Sequence, residues 1–307
     1  MKKGIALKIA GFLLFFLIAL IILFPVNNLR SYIFETVFRE SGVLMVAESL
    51  HLSLLGLPGV KMDKVSVTLP VGSQEIDLQS DQLTLRLALT SFFPPQIGLA
   101  ASVSDLKKGG DIYTRVGRGN NTFSFYLNVE RLNLEQLGAR SGGSPFKGSL
   151  DASSDIFLNE TELAKSSGYL KIKILDFSLN QQSISPPELG GLTIIIPAMK
   201  MGKLDGALTM KNGLLEINQL KFGDDPNSDL KGTVSGDFKV EKKFEDSQLN
   251  LALKLKLSAK IMENPESATF KSALGGFQNN PGEYSLRCNG TIQDFINSPL
   301  YPCRKLD

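Results

Sequence analysis

Leu249-Asn250-Leu251-Ala252-Leu253-Lys254-Leu255-Lys256-Leu257-Ser258 alternates leucine with small or polar residues without a break. Period two puts these leucines on one side of a pleated ribbon, whereas a helix of the same residues would spread them around its circumference. The segment therefore reads as a strand with one apolar face. Upstream, Leu230, Gly232, Val234, Gly236, Phe238 and Val240 repeat the pattern. Before them, Leu204, Gly206, Leu208 and Met210 run into Asn212-Gly213, the dipeptide that best supplies the two positive φ angles of a type I′ hairpin turn. Leu215 and Ile217 begin the return strand, which ends at Phe222 before the turn residues Gly223-Asp224-Asp225-Pro226-Asn227.

The same alternation fills the N-terminal half. Leu50, Leu52 and Leu54 predict one strand, Val65, Val67 and Leu69 a second, and Leu83, Leu85, Leu87 and Leu89 a third. Ile97, Leu99, Ala101 and Val103 predict a fourth, and Phe123, Phe125, Leu127 and Val129 a fifth, opened by the turn cluster Gly117-Arg118-Gly119-Asn120-Asn121. Leu132 to Leu137 reads as a helical turn and Arg140 to Ser144 as a loop. Leu150 to Leu158 and Gly168 to Ile174 form a hairpin with a short helix at Glu160 to Lys165 between them. Beyond Pro265 the pattern predicts one short helix over Ala268 to Leu274 and a final strand through Tyr284, Leu286, Cys288 and Ile292.

About ten strands, each about 20 Å long and about 4.8 Å from its neighbour, present a face on the order of 1,000 Å². A soluble monomer usually exposes only a few hundred. No amphipathic helix in the sequence is long enough to cover such a face, so the sheet closes on itself, stacks on a second sheet, or holds something apolar. The expected fold is mainly β after one N-terminal transmembrane helix, with an antiparallel, strongly curved or folded-over sheet or a β-sandwich. In the most legible part, Leu204, Leu208, Met210, Leu230, Val234, Phe238, Leu249, Leu251, Leu253, Leu255 and Leu257 would line an apolar groove.

The chain opens differently. Ile9 to Phe24 has no charged residue and is rich in Leu, Ile and Phe, which predicts a membrane-inserting helix, with Lys8 placed to snorkel. Lys2, Lys3 and Lys8 precede it while the following flank is nearly neutral, so the positive-inside rule leaves the N-terminus in the cytoplasm and the bulk in the periplasm of a bacterial inner membrane. A cleaved signal peptide shares the basic start and apolar run, but Phe24-Pro25-Val26-Asn27-Asn28 offers no small-x-small cleavage site. From Asn28 to Glu40, Leu29, Tyr32, Ile33 and Phe38 recur at helical spacing and Ser41-Gly42 makes a stop. The expected organisation is a cytoplasmic start and anchor over 1–27, a linking helix over 28–42 and a periplasmic β domain over 43–307.

Composition removes several function classes. With 33 Lys+Arg against 31 Asp+Glu and no basic run interleaved with aromatics, the chain offers no nucleic-acid surface. His51 is the only histidine, which denies the chain His-based triads and multi-histidine metal sites, and its place between Leu50 and Leu52 makes it a solvent-facing strand residue. Asp224 and Asp225 fall far short of a calcium-loop spacing and suit a turn. Gly117-x-Gly119 lacks the third glycine and the Lys-Ser/Thr of phosphate loops. The residues thus carry no catalytic, cofactor or metal site. Cys288 and Cys303 permit a bridge in an oxidising periplasm, and two separate thiols are the other reading.

Leu192 to Ala259 contains Ile194-Ile195-Ile196-Pro197, Gly202-Lys203-Leu204-Asp205-Gly206, Asn212-Gly213, Leu220-Lys221-Phe222-Gly223-Asp224, Leu230-Lys231-Gly232-Thr233 and the leucine ladder. In these features the chain resembles protein N of the type II secretion system. The N-terminal anchor, Leu57-Pro58-Gly59-Val60 and the strand at Gly290 fall where that family would have them. Lys147-Gly148-Ser149-Leu150 and Lys231-Gly232-Thr233-Val234 also look like the repeating β units of AsmA-type proteins. The resemblance implies a non-enzymatic accessory component of the secretion machine, anchored once in the inner membrane, with a curved β domain that braces other secretion components or shields phospholipid tails. An AsmA-like lipid-handling protein unrelated to secretion would carry the same anchor and strands.

Overall fold

Period-two alternation becomes one long antiparallel meander. The computed structural model describes residues 26–53, 58–71, 74–92, 95–107, 109–137, 144–184, 193–241, 243–297 and 302–306. The expected membrane helix at Ile9 to Phe24, strand residue Leu54 and nearly all of the loop at 140–144 lie outside them. Helix α1 (Val26–Ser41) leads into two short strands, β1 (Leu44–Val46) and β2 (Ser49–Ser53). The meander then runs through β3 (Gly59–Val71), β4 (Gln74–Phe92), β5 (Pro95–Leu106), β6 (Asp111–Arg118), β7 (Thr122–Asn133), β8 (Phe146–Asn159) and β9 (Ser167–Leu179). A small separate pair, β10 (Gln182–Ile184) and β11 (Ile194–Ile196), interrupts it. It resumes with β12 (Met199–Lys211), β13 (Leu214–Phe222), β14 (Leu230–Lys239) and β15 (Gln248–Leu257). Helices α2 (Ala259–Glu263) and α3 (Ala268–Leu274), strands β16 (Gln278–Asn280) and β17 (Glu283–Thr291), helix α4 (Ile292–Asn297) and β18 (Cys303–Lys305) complete the chain.

Among the described residues, 16 strands form one sheet in the order β1-β3-β4-β5-β6-β7-β8-β9-β12-β13-β14-β15-β17-β16, with β2 also beside β3 and β18 also beside β17. Its two ends do not pair with each other, so the sheet is open. Each long edge strand is covered by two short ones. On β3, β2 takes Gly59 to Asp63 and β1 takes Ser66 to Thr68. On β17, β16 takes Glu283 and Tyr284, and β18 takes Leu286 to Cys288. Short edge strands leave little template for another chain to extend.

The local chemistry agrees with the spacing. Asn212 and Gly213 both hold positive φ, 56° and 76°, and a Cβ on Gly213 would press on the backbone of Leu163 at 3.0 Å, so the turn takes glycine for both reasons. The expected helix over Ala268 to Leu274 is α3, and the expected turns become 3₁₀ segments at Leu134–Leu137 and Leu163–Lys165. Three expectations change. Gly117 and Arg118 are the end of β6, a strand the turn signal concealed, and Ile292 opens α4 instead of ending β17. Val240 lies just past β14.

Regularity is broken at recurring points. Lys64, Asp105, Arg131 and Asp176, in β3, β5, β7 and β9, hold positive φ of 48°, 54°, 50° and 53°. The Asp105 and Arg131 amides donate to the carboxylates of Asp111 and Asp151, at 3.1 and 2.8 Å, instead of to a strand carbonyl. The ladder slips between Val129 and Leu132 and between Lys147 and Ser149. Such irregularities bend a strand and raise its twist.

Burial is uneven. Met62, Val65, Leu50, Leu83 and Ala47 form a cluster at the β3 edge, with Phe34 of α1 against it. Ile261, Leu274, Leu257, Tyr284, Leu286, Cys288 and Met199 form another under α2 and α3 at the β17 edge. Two smaller clusters lie between them, around Leu134 and Phe177 and around Leu106 and Leu132. Among the described residues no helix is long and apolar enough to cross a membrane.

Candidate apolar binding face

Register turns strand-by-strand alternation into continuous rows. One row of directly opposed residues runs Leu52, Val60, Leu85, Ala101, Thr114, Leu127, Ser154, Leu170, Leu208, Ile217, Gly236, Leu251 and Cys288. A parallel row on the same face runs Leu87, Leu99, Val116, Phe125, Ile156, Gly168, Met210, Leu215, Phe238 and Leu249. At about 4.8 Å per strand the first row is about 60 Å long.

All the groove residues read from the sequence share this face. Leu204 stands opposite Ile174 and Phe222, Leu208 opposite Leu170, and Met210 opposite Leu215. Leu230 faces Leu257, Val234 faces Leu253 and Phe238 faces Leu249, while Leu251 and Leu255 stand opposite Gly236 and Gly232. Met210 and Leu257 are buried and the others half-buried. Leu251, Leu253 and Leu255 are packed against the cluster beneath α2 and α3. Towards the other edge Phe34 of α1 packs on Leu50, Met62 and Leu83, but where β4 meets β5 no described residue covers the face: Leu87, Leu89 and Leu99 are 42%, 44% and 61% exposed. Polar groups are sparse along the first row. Thr114 donates to the Tyr126 carbonyl at 3.0 Å, and the Ser154 hydroxyl is buried without a hydrogen-bond partner among the described residues.

The sequence missed part of this surface. β6, which the sequence reading did not include, contributes Ile112 and Val116 with Thr114 between them on the same face. The alternation Ile112, Thr114, Val116 was the available signal, and the glycines after it masked it. A cleft of about 500 Å³ opens on this face, lined by Phe123, Leu158, Leu163 and Val240 with Asn121 and Glu160 at its polar margin.

Elsewhere the chemistry is thin. His51 is exposed on β2, with Nε2 3.1 Å from the Ser49 hydroxyl and 3.4 Å from the Asp63 carboxylate, and Ser49 donates to Asp63 at 2.8 Å. One ring nitrogen faces both partners, so no proton relay from serine through imidazole to carboxylate is set up. Asp225 accepts the Asn227 amide at 2.8 Å, which is turn chemistry. Among the described residues no cluster of three His, Cys, Asp or Glu side chains could hold a metal ion. Cys288 and Cys303 are directly opposed on β17 and β18 and joined by a disulfide. Comparison with family models, with curated proteins and with solved structures finds no match to this chain.

Proposed function

We propose that the protein is a non-enzymatic, inner-membrane-anchored component of the type II secretion system whose periplasmic β domain shields phospholipid acyl chains on its apolar face. The observation that carries the apolar-ligand part is the uncovered stretch of that face, where Leu87, Leu89 and Leu99 stand open to solvent within continuous apolar rows. Of the three ways to satisfy a sheet with one apolar side, closure is not used, and the second sheet among the described residues is the two-stranded β10-β11 pair. Holding something apolar remains.

Curvature of the sheet into a groove is the finer reading. The positive-φ residues in alternate strands support it, since each raises local twist. So does the cleft shared by Phe123 of β7 and Val240, just past β14, since β7 and β14 are five spacings, about 24 Å, apart in a flat sheet. Membership of the secretion machine rests on the sequence resemblance. Bracing of partners by strand addition is weakened by the short strands that cover both edges, which favours lipid handling of the AsmA kind as the second reading.

The test is native mass spectrometry and lipid extraction on gently solubilised full-length protein, with Leu87→Lys/Leu99→Lys beside the wild type. Phospholipid should be retained by the wild type and largely lost from the double variant. Equal retention would remove the apolar-ligand reading. In cells lacking the protein, loss of secreted proteins from the medium supports a secretion role, whereas intact secretion with altered envelope lipid supports the AsmA-like one.

A further inference from the structure

On the opposite, polar face of the sheet, lysines gather where β13 and β15 end and β14 begins. Lys221, Thr233 and Lys254 stand in one line across three strands, and Lys231 stands directly opposite Lys256 in the next. Like charges directly opposed on adjacent strands are destabilising. Lys256 is relieved by Glu283, 2.8 Å away, and the Glu283 carboxylate is held below its usual range by that hydrogen bond and by one from Asn280. Lys221, Lys231 and Lys254 have no ion-pair or hydrogen-bond partner among the described residues. Some strand lysines are paired, Lys203 with Asp205, Lys239 with Glu241 and Lys64 with Glu48, while Lys147, Lys173 and Lys211 have no such partner among the described residues, so what sets Lys221, Lys231 and Lys254 apart is that they converge on one cleft. Protection of sheet edges, a common use of strand lysine, does not apply, because β13, β14 and β15 are internal.

The three unpaired lysines line a cleft of about 420 Å³ together with Thr233, Asp224 and the Lys256–Glu283 pair, a set of four lysines against two carboxylates. We propose that this cleft binds a phosphate-bearing group of two or more negative charges. Lysine ammonium groups act as point charges for phosphate oxygens, three of them with one hydroxyl can surround a dianion, and the volume exceeds that of a lone phosphate, leaving room for a diphosphate or an attached group. The site lies on the face away from the apolar rows and stands whether or not those rows hold lipid.

The test titrates full-length protein in neutral detergent at low salt with inorganic pyrophosphate and, separately, with water-soluble dihexanoyl-phosphatidic acid, by calorimetry. The charge-removing variant is Lys231→Gln/Lys254→Gln, the charge-keeping one Lys231→Arg/Lys254→Arg, and Lys171→Gln/Lys173→Gln serves as control on the same face. Binding should weaken about tenfold or more in the first and persist in the other two. Tighter binding of phosphatidic acid would assign the phosphate to a lipid headgroup, and equal or tighter binding of pyrophosphate to a soluble ligand. Absence of binding to both probes, or equal weakening in the Lys171/Lys173 control, would overturn the proposal, as would binding of polyglutamate but of neither phosphate probe. Should the Gln double variant misfold by circular dichroism, Lys221→Gln alone is read against the same criterion.

Discussion

Tyr284 is nearly fully buried on β17, where among the described residues its hydroxyl reaches only the Met262 sulfur, at 3.8 Å. Burial raises its pKa above the usual value near 10, because the phenolate would lose its water. The folded state therefore keeps the proton to higher pH than the unfolded chain. Its contribution to stability is full below about pH 10 and is lost as pH climbs from there through the folded value. Tyr284→Phe removes this dependence. The variant is expected to match the wild type within about 1 kcal/mol at pH 7, since the lost partner is a weak sulfur contact, and to lose less stability between pH 9 and pH 11. Urea unfolding at the three pH values checks this, and parallel pH curves for the two proteins would contradict it. The sequence placed Tyr284 on a final strand with Leu286 and Cys288. Its isolation from polar partners was not legible, because that depends on α2 folding back to bring Met262 over it.

At the scale of elements, β18 is the least self-sufficient piece: three residues on an outer edge, too short to hold itself in place. Two hydrogen bonds beside it, from the Asn289 amide to the Pro302 carbonyl and from the Leu306 amide to the Ser285 carbonyl, at 3.0 Å each, depend on its staying there. The Cys288–Cys303 bond supplies the constraint across a separation of 15 residues, which in the chain-entropy view is about 3 kcal/mol. Cys303→Ser is thus expected to lower the unfolding free energy by about 3 kcal/mol, within the usual 2–4 kcal/mol range, and to release the Asn289 amide to hydrogen exchange while central strands stay protected. Exchange at Asn289 unchanged from wild type would show that β18 docks without the bond. The long strands other than β6 were readable from alternation alone, with one turn marked by Asn212-Gly213. β1, β10, β11, β16 and β18 were not, because three residues cannot display a period and their pairing is chosen by distant partners. The two cysteines left bridge and thiols open until register set them face to face.

For the molecule as a whole, the consequential property is that one apolar face is covered beneath α2 and α3 and beside α1, where Leu50, Met62 and Leu83 are buried, and is bare among the described residues where β4 meets β5. The leucine ladder, the clearest feature of the sequence, lies under the cover: Leu251 and Leu255 are packed against the cluster that α2 and α3 close. Leu87 and Leu99, no different in pattern, are the bare stretch. Alternation shows which side of a strand is apolar but not which part of that side a later helix will cover, so the ladder was a sound guide to the fold and an incomplete one to the site. The covered and bare stretches must then answer differently to the same change. Leu251→Lys/Leu255→Lys puts two ammonium groups without partners at half-buried positions packed on the cluster beneath α2 and α3 and is expected to cost about 3 kcal/mol, enough to unfold a marginal domain. Leu87→Lys/Leu99→Lys places its charges in water, and each site should change stability by no more than about 0.5 kcal/mol. Only the second pair can report on ligand without reporting on folding, and it should lose bound phospholipid while keeping the wild-type melting temperature. If both pairs destabilise alike, the exposed stretch is covered in the working protein and the face is a core; if the bare-stretch pair keeps both its stability and its lipid, the lipid is held elsewhere on the molecule.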